Sequence, residues 1–299
     1  MAPIPGDIRL VVPDPRRNLH AHAFDELILA ITGGLRRLGL RVSTTTECCS
    51  AGSQTIVLAP HLHDRAALAA LPRESILYNW EPLGWTHLAF MTEELLALMR
   101  EFIIWDYSLT NQDVWRRTGA TRVVHVAAVS DPMIRRNLRG DHPDIDVLFY
   151  GSLNERRAAV LNELHRAGLT VKHLFGVYAD ERDQWIRRSR LVLNMHFHEG
   201  QILELPRLAY LWVNAVPVVC EMNLTTEDNL QMREACLHAT YAEIVDRTIS
   251  LLADPEMVSR SINASMMRIE RAGDAAAWLR HGIVEAYRLS AHVNAGSVR

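Results

Sequence analysis

Short apolar runs alternate along the chain with longer segments in which apolar residues recur every three or four positions. The first run covers residues 8–12. The segment 23–38 after it has apolar residues at helical spacing, among them Leu27, Ile31 and Leu35. Strands that alternate with helices favour parallel sheets, because a right-handed crossover joins strands that run in the same direction. The pattern therefore predicts an α/β protein.

The same spacing predicts the other elements. In the first half, strands are expected at 40–43, 55–59, 75–79, 103–106 and 123–126, and helices at 64–70, 93–102 and 112–118. In the second half, strands are expected at 146–150, 171–175, 191–195 and 218–220. Helices are expected there at 155–166, 180–188, 201–213, 241–253, 255–271 and 275–289.

Residues 130–143 interrupt this alternation with two prolines, a glycine and several charges, as a linker does. We therefore predict two doubly wound, Rossmann-like domains that face a cleft. The first is expected to span residues 1–143 and the second residues 144–299. The last helix is expected to cross back to the first domain.

Composition agrees with two globular domains and narrows the choice of partners. The 299 residues are 48% hydrophobic and 22% charged, and the net charge is −3. Because the chain offers no overall basic field to a polyanion, nucleic acid is not expected as a partner. The first twelve residues do not have the pattern of a signal peptide, and no apolar stretch approaches the length of a membrane span.

The four cysteines indicate a reducing compartment. They are Cys48, Cys49, Cys220 and Cys236, and none has the spacing of a CxxC motif. Adjacent cysteines such as Cys48 and Cys49 do not readily bridge to each other. We therefore expect free thiols, no metal site built on them and a cytoplasmic protein.

Candidate chemistry lies where predicted strands end, since ligands of open parallel sheets bind at the carboxyl ends of the strands. Gly151 and Ser152 follow the strand at 146–150, and Arg156 and Arg157 lie in the first turn of the helix after it. Glycine lets a phosphate approach the backbone, and a helix N-terminus with arginines attracts it. The alternative is a plain turn with solvated arginines. Gly176 and Val177 follow the next strand, where they could contact a nucleobase or form only a turn.

The third strand end is rich in polar side chains. His196, His198 and Glu199 follow the strand at 191–195, Gly200 comes next, and Glu204 and Arg207 begin the following helix. Such crowding indicates a site for a polar ligand. A Glu204–Arg207 pair that only fixes the helix is the structural alternative, and the spacing does not match a helical zinc motif.

In the first half, His20, His22 and Glu26 follow the first strand. A histidine there could act as a general base, with Glu26 one turn beyond His22 to orient it, or could simply cap the helix. Two later strand ends carry aromatic and hydrogen-bonding residues typical of an acceptor pocket, or of local packing: Asn79, Trp80, Glu81 and Asp106.

The second half of the chain resembles GT-B glycosyltransferases, especially bacterial family 1 and family 4 types. Gly151 with Arg156 or Arg157, the turn at 175–177, and Glu199-Gly200 followed by the Pro-Val pair at 217–218 match the motifs of that family. The likeness covers about residues 146–255, and the first half matches by architecture alone. Retaining members carry Glu, seven residues and a second Glu, whereas Arg207 stands at the second position here. Glu204, one turn earlier, or else Glu199, is then expected to hold the ribose or the sugar of the donor, and the stereochemistry stays open.

The resemblance implies transfer of a sugar from a nucleoside diphosphate sugar to a small-molecule or glycan acceptor. It implies neither a further cofactor nor an obligatory metal, because the helix dipole and arginine would stabilise the leaving diphosphate. The expected donor-binding residues are Gly151, Ser152, Arg156, Arg157, Gly176, Val177, His196, His198, Glu199, Gly200, Glu204 and Arg207. A non-catalytic sugar-nucleotide-binding protein and a sugar-nucleotide epimerase are the alternatives.

Overall fold

The computed structural model describes residues 6–49, 53–83, 91–198, 202–233 and 237–296, apart from the side chains of 227, 231 and 291–296. The chain divides into two compact units. The first unit comprises Met1–Met133 and Asp274–Arg299, and the second comprises Ile134–Gly273. The last helix therefore belongs to the first unit.

The first unit contains six parallel strands in the order β2-β1-β3-β4-β5-β6. The strands are β1 (Asp7–Val11), β2 (Arg41–Thr45), β3 (Gln54–Leu58), β4 (Ile76–Asn79), β5 (Ile103–Asp106) and β6 (Val123–His125). The helices are α1 (Asp25–Arg37), α2 (Arg65–Ala69), α3 (Glu93–Met99), α4 (Leu109–Arg117) and α11 (Ala275–Gly296). Short 3-10 helices span Leu19–Phe24, Pro60–Leu62 and Pro132–Ile134.

Both faces of this sheet are covered. Val11, Val57 and Leu77 point to one face and form a core with apolar residues of α2, α3 and α4. On the other face α1 packs against α11 so closely that a Cβ on Gly34 would lie 2.8 Å from Leu279 Cδ1. Arg37, the last residue of α1, forms ion pairs with Asp131 beyond β6 at 2.7 Å and with Asp274 directly before α11 at 2.6 Å.

The second unit contains five parallel strands in the order β11-β10-β9-β7-β8. The strands are β7 (Ile145–Tyr150), β8 (Val171–Leu174), β9 (Ser189–Asn194), β10 (Val218–Glu221) and β11 (Leu237–Ala239). The helices are α5 (Glu155–Arg166), α6 (Ala179–Arg187), α7 (Leu205–Val213), α8 (Glu227–Met232), α9 (Ile244–Ala253) and α10 (Pro255–Arg271). Alternate strand residues such as Phe149 and Leu193 form a core with α5 and α9. The predicted α/β class, with two parallel sheets flanked by helices, is confirmed.

The two units divide between Met133 and Ile134, earlier than the boundary at residue 143 that the sequence indicates. The intervening residues bond within the second unit although they form little regular structure. The Asn214 carboxamide donates to the Ile134 carbonyl at 3.1 Å, and Arg187 Nε donates to the Asn137 carbonyl at 2.7 Å. The prolines and glycine end the alternation of strands and helices, but they do not release the segment from the fold.

Two further features concern the cysteines and the apolar character of the helices. Among the described residues, Cys48, Cys49 and Cys220 form no disulfide bond, and Cys236 lies outside the described residues. Within the described part of the chain, none of the helices combines the length and the apolar character that a bilayer crossing requires.

Candidate functional site

The candidate site lies at the switch point of the second sheet, where the strand order reverses between β7 and β9. Parallel β7 and β9 are neighbours, so the turn after β7 and the segment after β9 meet at one edge of the sheet. Crevices at such switch points are where open α/β sheets bind ligands. The structure thus brings Gly151 together with the polar residues after β9, which are distant in sequence.

The turn after β7 is built around Gly151 and Asn154. Gly151 adopts a φ of +138°, a region that glycine enters without strain. Asn154 caps α5 by accepting from the Arg157 backbone N–H at 3.0 Å, and its Nδ2 donates to the Phe197 carbonyl at 2.6 Å. One side chain therefore fixes both the helix start and the segment after β9.

Arg157 is more deeply buried than the other two predicted arginines, Arg156 and Arg207. Its side chain is buried and donates to the carbonyls of Ser152 at 2.8 Å, His196 at 3.2 Å and Met195. Burial lowers the pKa of Arg157 to about 10, which leaves it charged at neutral pH. A charge held this way needs little reorganisation to bind an anion.

Arg207 brings a second cation to the same turn. A Cβ added to Gly151 would lie 3.5 Å from Arg207 Nη2 and 3.8 Å from Arg157 Nη1. The two guanidiniums therefore converge on the one position of the turn that has no side chain. Arg207 also lies over the Tyr150 ring at 4.9 Å and donates to Asn194 Oδ1 at 3.3 Å.

Glu204 touches both of these arginines. Its carboxylate lies 2.6 Å from Arg207 Nη1 and 3.4 Å from Arg157 Nη2. The helical Glu204–Arg207 pair named as an alternative in the sequence is therefore present, together with a second contact to α5 that the sequence does not reveal.

Arg156, also predicted to contact phosphate, has a different environment. It binds both carboxylate oxygens of Glu221 at the end of β10 and lies 3.9 Å from the Tyr241 ring centroid. The sequence analysis did not include Glu221 or Tyr241. Glu221 is the last residue of β10 and Tyr241 lies two residues beyond β11, and these positions at strand ends are the signal that could have indicated them once the order of the strands is known.

His196 is buried behind this group of charges. Both of its ring nitrogens, and Nδ2 of Asn194, lack a hydrogen-bond partner within the described part of the structure. Burial lowers the pKa of His196, so the imidazole is neutral near pH 7. Buried polar groups without a protein partner are uncommon, so His196 and Asn194 are candidates for contacting a polar ligand.

The remaining predicted donor residues are placed less centrally. Gly176 has a φ of +70° and Val177 is half-buried, beside Phe175, which is 58% exposed. His198 meets the Phe197 ring edge-on at 4.8 Å between centroids. Glu199 and Gly200 lie outside the described residues.

In the first unit, the segment after β1 carries the predicted catalytic histidines. His20 and His22 lie in the 3-10 helix Leu19–Phe24, and Glu26 lies in the first turn of α1. His22 Nδ1 is 2.9 Å from Asp25 Oδ2, so the structure gives this imidazole an acidic neighbour that the sequence analysis did not name. Their catalytic role stays a prediction.

His61 is a further candidate that the sequence analysis missed. His61 follows β3, which is the neighbour of β1 in the sheet. Its Nε2 lies 3.5 Å from Oε1 of Glu81, a residue that follows β4. Ala59, directly after β3, has a left-handed φ of 50°, which is strained for a residue with a Cβ. Burial lowers the pKa of His61 to about 4. The signal in the sequence is a histidine just beyond a predicted strand.

Asp106, predicted to line an acceptor pocket, lies instead at the centre of a buried network. It is 0% exposed and accepts from Asn79 Nδ2 at 2.8 Å and Trp115 Nε1 at 2.7 Å, and also from Ser108 and Asn111. Trp80 stacks on Tyr107 with 5.1 Å between ring centroids. Of the four predicted acceptor residues, only Glu81 has a substantially accessible side chain.

Comparison with known proteins was made by sequence and by structure. No family model and no curated protein matches the sequence. Solved structures match nearly the whole chain. The Anabaena protein HepE, solved with UDP and glucose, has a TM-score of 0.59 at 12% identity, with 97% of this chain and 99% of that chain covered.

Two further solved structures give the same result. AviGT4, a glycosyltransferase involved in avilamycin A biosynthesis, has a TM-score of 0.60 at 13% identity and covers 96% of this chain and 99% of its own. T4 phage BGT, solved with UDP and Mn²⁺, has a TM-score of 0.56 at 10% identity and covers 93% and 99%. The chain has the GT-B fold. The resemblance seen in the sequence is thereby confirmed at the level of the fold.

Proposed function

We propose that this protein is a glycosyltransferase that moves a sugar from a UDP-sugar to an acceptor nucleophile. The observation that carries the proposal is the convergence of the Arg157 and Arg207 guanidiniums on Gly151 at the switch point of the second sheet. Two cations over a glycine turn at a helix N-terminus suit a diphosphate. UDP is the nucleotide of choice because HepE and T4 phage BGT were solved with it.

In the proposed reaction, Arg157 and Arg207 act by electrostatic stabilisation. When the bond from the sugar to the diphosphate breaks, negative charge grows on the leaving oxygen. Arg157, held by three backbone carbonyls, and Arg207, held against Tyr150, would stabilise that charge without moving far. The nucleobase is assigned to the turn at Gly176 and Val177, beside the exposed Phe175 ring.

The acceptor must lose a proton as it attacks. In the first unit, the described pairs His22 with Asp25 and Glu81 with His61 could receive it. We propose that His20, His22 and Glu26 form the catalytic group that receives the proton, and Glu81 is the alternative base. Asp106 is a poor candidate, because its carboxylate is buried under four donor groups.

Independence from metal is part of the proposal. Arginine counter-ions can neutralise a diphosphate without a divalent cation, and no group of three or more His, Cys, Asp or Glu side chains among the described residues is arranged to hold one. T4 phage BGT was solved with Mn²⁺ as well as UDP, so the question is open to experiment. The nature of the acceptor, the exclusion of nucleic acid and the cytoplasmic location also stay predictions.

Calorimetric titration of the full chain with UDP tests the donor site. Loss of a charge-assisted contact in Arg207→Gln should weaken UDP binding by about 10-fold or more. Arg166→Gln, on an exposed position in the last turn of α5, removes the same charge away from the site and should leave the affinity unchanged. Equal affinities in wild type and Arg207→Gln would refute this placement of the diphosphate.

A further inference from the structure

Glu204 occupies the position between the two arginines of the proposed diphosphate site. One carboxylate oxygen lies 2.6 Å from Arg207 and the other 3.4 Å from Arg157. The Glu204 side chain is 32% exposed, whereas that of Arg157 is only 4% exposed. In this pair, the Glu204 carboxylate is therefore accessible to solvent, whereas the Arg157 guanidinium is buried.

The charges around Gly151 explain why a carboxylate is there. A buried guanidinium is costly unless an anion compensates it. Glu221 is already bound to both terminal nitrogens of Arg156. Among the described ion pairs at this edge of the sheet, Glu204 is the anion that serves both Arg157 and Arg207.

The backbone role of Glu204 does not require its carboxylate. Glu204 precedes the first residue of α7, and its carbonyl accepts from the Leu208 N–H at 3.2 Å. Its side chain makes no capping hydrogen bond to the described first turn of that helix. The carboxylate is thus directed to the arginines and can be neutralised without removing a helix cap.

We propose that the Glu204 carboxylate is an internal counter-ion that the donor diphosphate displaces from Arg157 and Arg207. The proposal rests on the function proposed above. A diphosphate carries more negative charge than one carboxylate and can bind both guanidiniums at once, so the exchange is favourable. Glu204 then keeps the buried arginine compensated when the site is empty, and it opposes donor binding by competition.

This role and the ribose contact that the sequence predicts for Glu204 have opposite effects on the affinity for the nucleotide. A side chain that contacts the ribose strengthens nucleotide binding and does not change the affinity for a diphosphate that has no nucleoside. An internal counter-ion weakens the binding of both. Inorganic pyrophosphate and UDP together therefore separate the two roles.

The test is calorimetric titration of the 299-residue wild-type chain and of Glu204→Gln with inorganic pyrophosphate and, separately, with UDP at low salt. Because the ion pairs are partly exposed, neutralising Glu204 should tighten both by about 3- to 10-fold. Glu163→Gln, an exposed carboxylate on α5, is the matched control and should change neither. Unchanged pyrophosphate affinity in Glu204→Gln, or a weaker UDP affinity with pyrophosphate unchanged, would overturn the proposal.

The same titrations separate this proposal from the proposed function. Tighter pyrophosphate binding in Glu204→Gln, with no UDP binding by either protein, would support the counter-ion and reject the nucleotide site. Glu204→Asp gives a second variant if Glu204→Gln does not fold. Its shorter side chain draws the carboxylate away from both arginines, so pyrophosphate should bind more tightly than to wild type. Equal or weaker binding would contradict the proposal.

Discussion

The guanidinium of Arg156 binds both carboxylate oxygens of Glu221 and so joins the first turn of α5 to the end of β10. Both side chains are largely buried. Glu221→Ala would leave the guanidinium without its anion, and breaking such a pair costs about 3 kcal/mol. Chemical unfolding followed by fluorescence should show this loss, against less than about 0.5 kcal/mol for exposed Glu163→Ala. Equal stabilities of the two variants would contradict the structural role assigned to the pair.

Substitution of Gly151 and of Gly168 by alanine distinguishes an effect of backbone strain from an effect on ligand binding. Gly151→Ala places a methyl group at a φ of +138° and within 3.5 Å of Arg207 Nη2. Gly168→Ala carries a comparable strain, at a φ of +88°, with no atom within 4 Å. Both variants should lose about 1–2 kcal/mol of stability. Only Gly151→Ala should weaken UDP binding, measured by calorimetry. An equal loss of affinity in both variants would show that the effect is not local.

His61 predicts a pH dependence of stability. Its pKa is lowered from 6.5 to about 4 by burial, so between these values the unfolded chain binds a proton that the folded protein does not. The free energy of unfolding should therefore fall as the pH falls from 6.5 to 4, by up to about 3 kcal/mol from this group. His61→Gln lacks this contribution. The difference between wild type and His61→Gln, followed by chemical unfolding at each pH, should shift in favour of the variant on acidification, and a constant difference would refute the assignment.

Arginine counter-ions predict UDP binding without a divalent metal. Adding a chelator such as EDTA to wild-type protein should leave the calorimetric affinity for UDP within about 2-fold, because neutralisation comes from Arg157 and Arg207. Addition of Mn²⁺ to the chelator-treated protein should not raise the affinity for UDP any further. A chelator-induced loss that Mn²⁺ reverses would show that a metal ion takes part in donor binding.

Hydrophobic spacing predicted most of the fold because each element shows its own period. The strand at 103–106 matches β5, and the helix at 155–166 matches α5. The start of α1 was placed too early. There the Asn18 side chain accepts from the His20 backbone N–H and begins a 3-10 helix before α1. Strand β11 was not predicted, since its sequence Leu-His-Ala contains no continuous apolar run, unlike the equally short β6 with its Val-Val pair.

The sequence indicated some residues of the candidate site, but it did not indicate Glu221, Tyr241 or His61, nor how the residues pair. Glycines and charged residues after strands pointed to Gly151, Arg157 and Arg207, which the structure brings together. The pairing of Arg156 with Glu221 depends on β10 lying beside β9, and strand order is not visible in the spacing of apolar residues. In the same way, the polar pattern around Asp106 is compatible with a pocket or an interior network, and the structure shows an interior network.

Product analysis of the 299-residue protein incubated with UDP-glucose tests the central claim most directly. With a panel of small-molecule and glycan acceptors, chromatography coupled to mass spectrometry should detect UDP together with glucose joined to an acceptor, or free glucose where water is the acceptor. Arg207→Gln should release UDP at least about 10-fold more slowly. UDP-glucose that is bound but recovered intact would indicate a non-catalytic binding protein. An isomeric UDP-sugar of unchanged mass would indicate an epimerase, and either result would contradict glycosyl transfer.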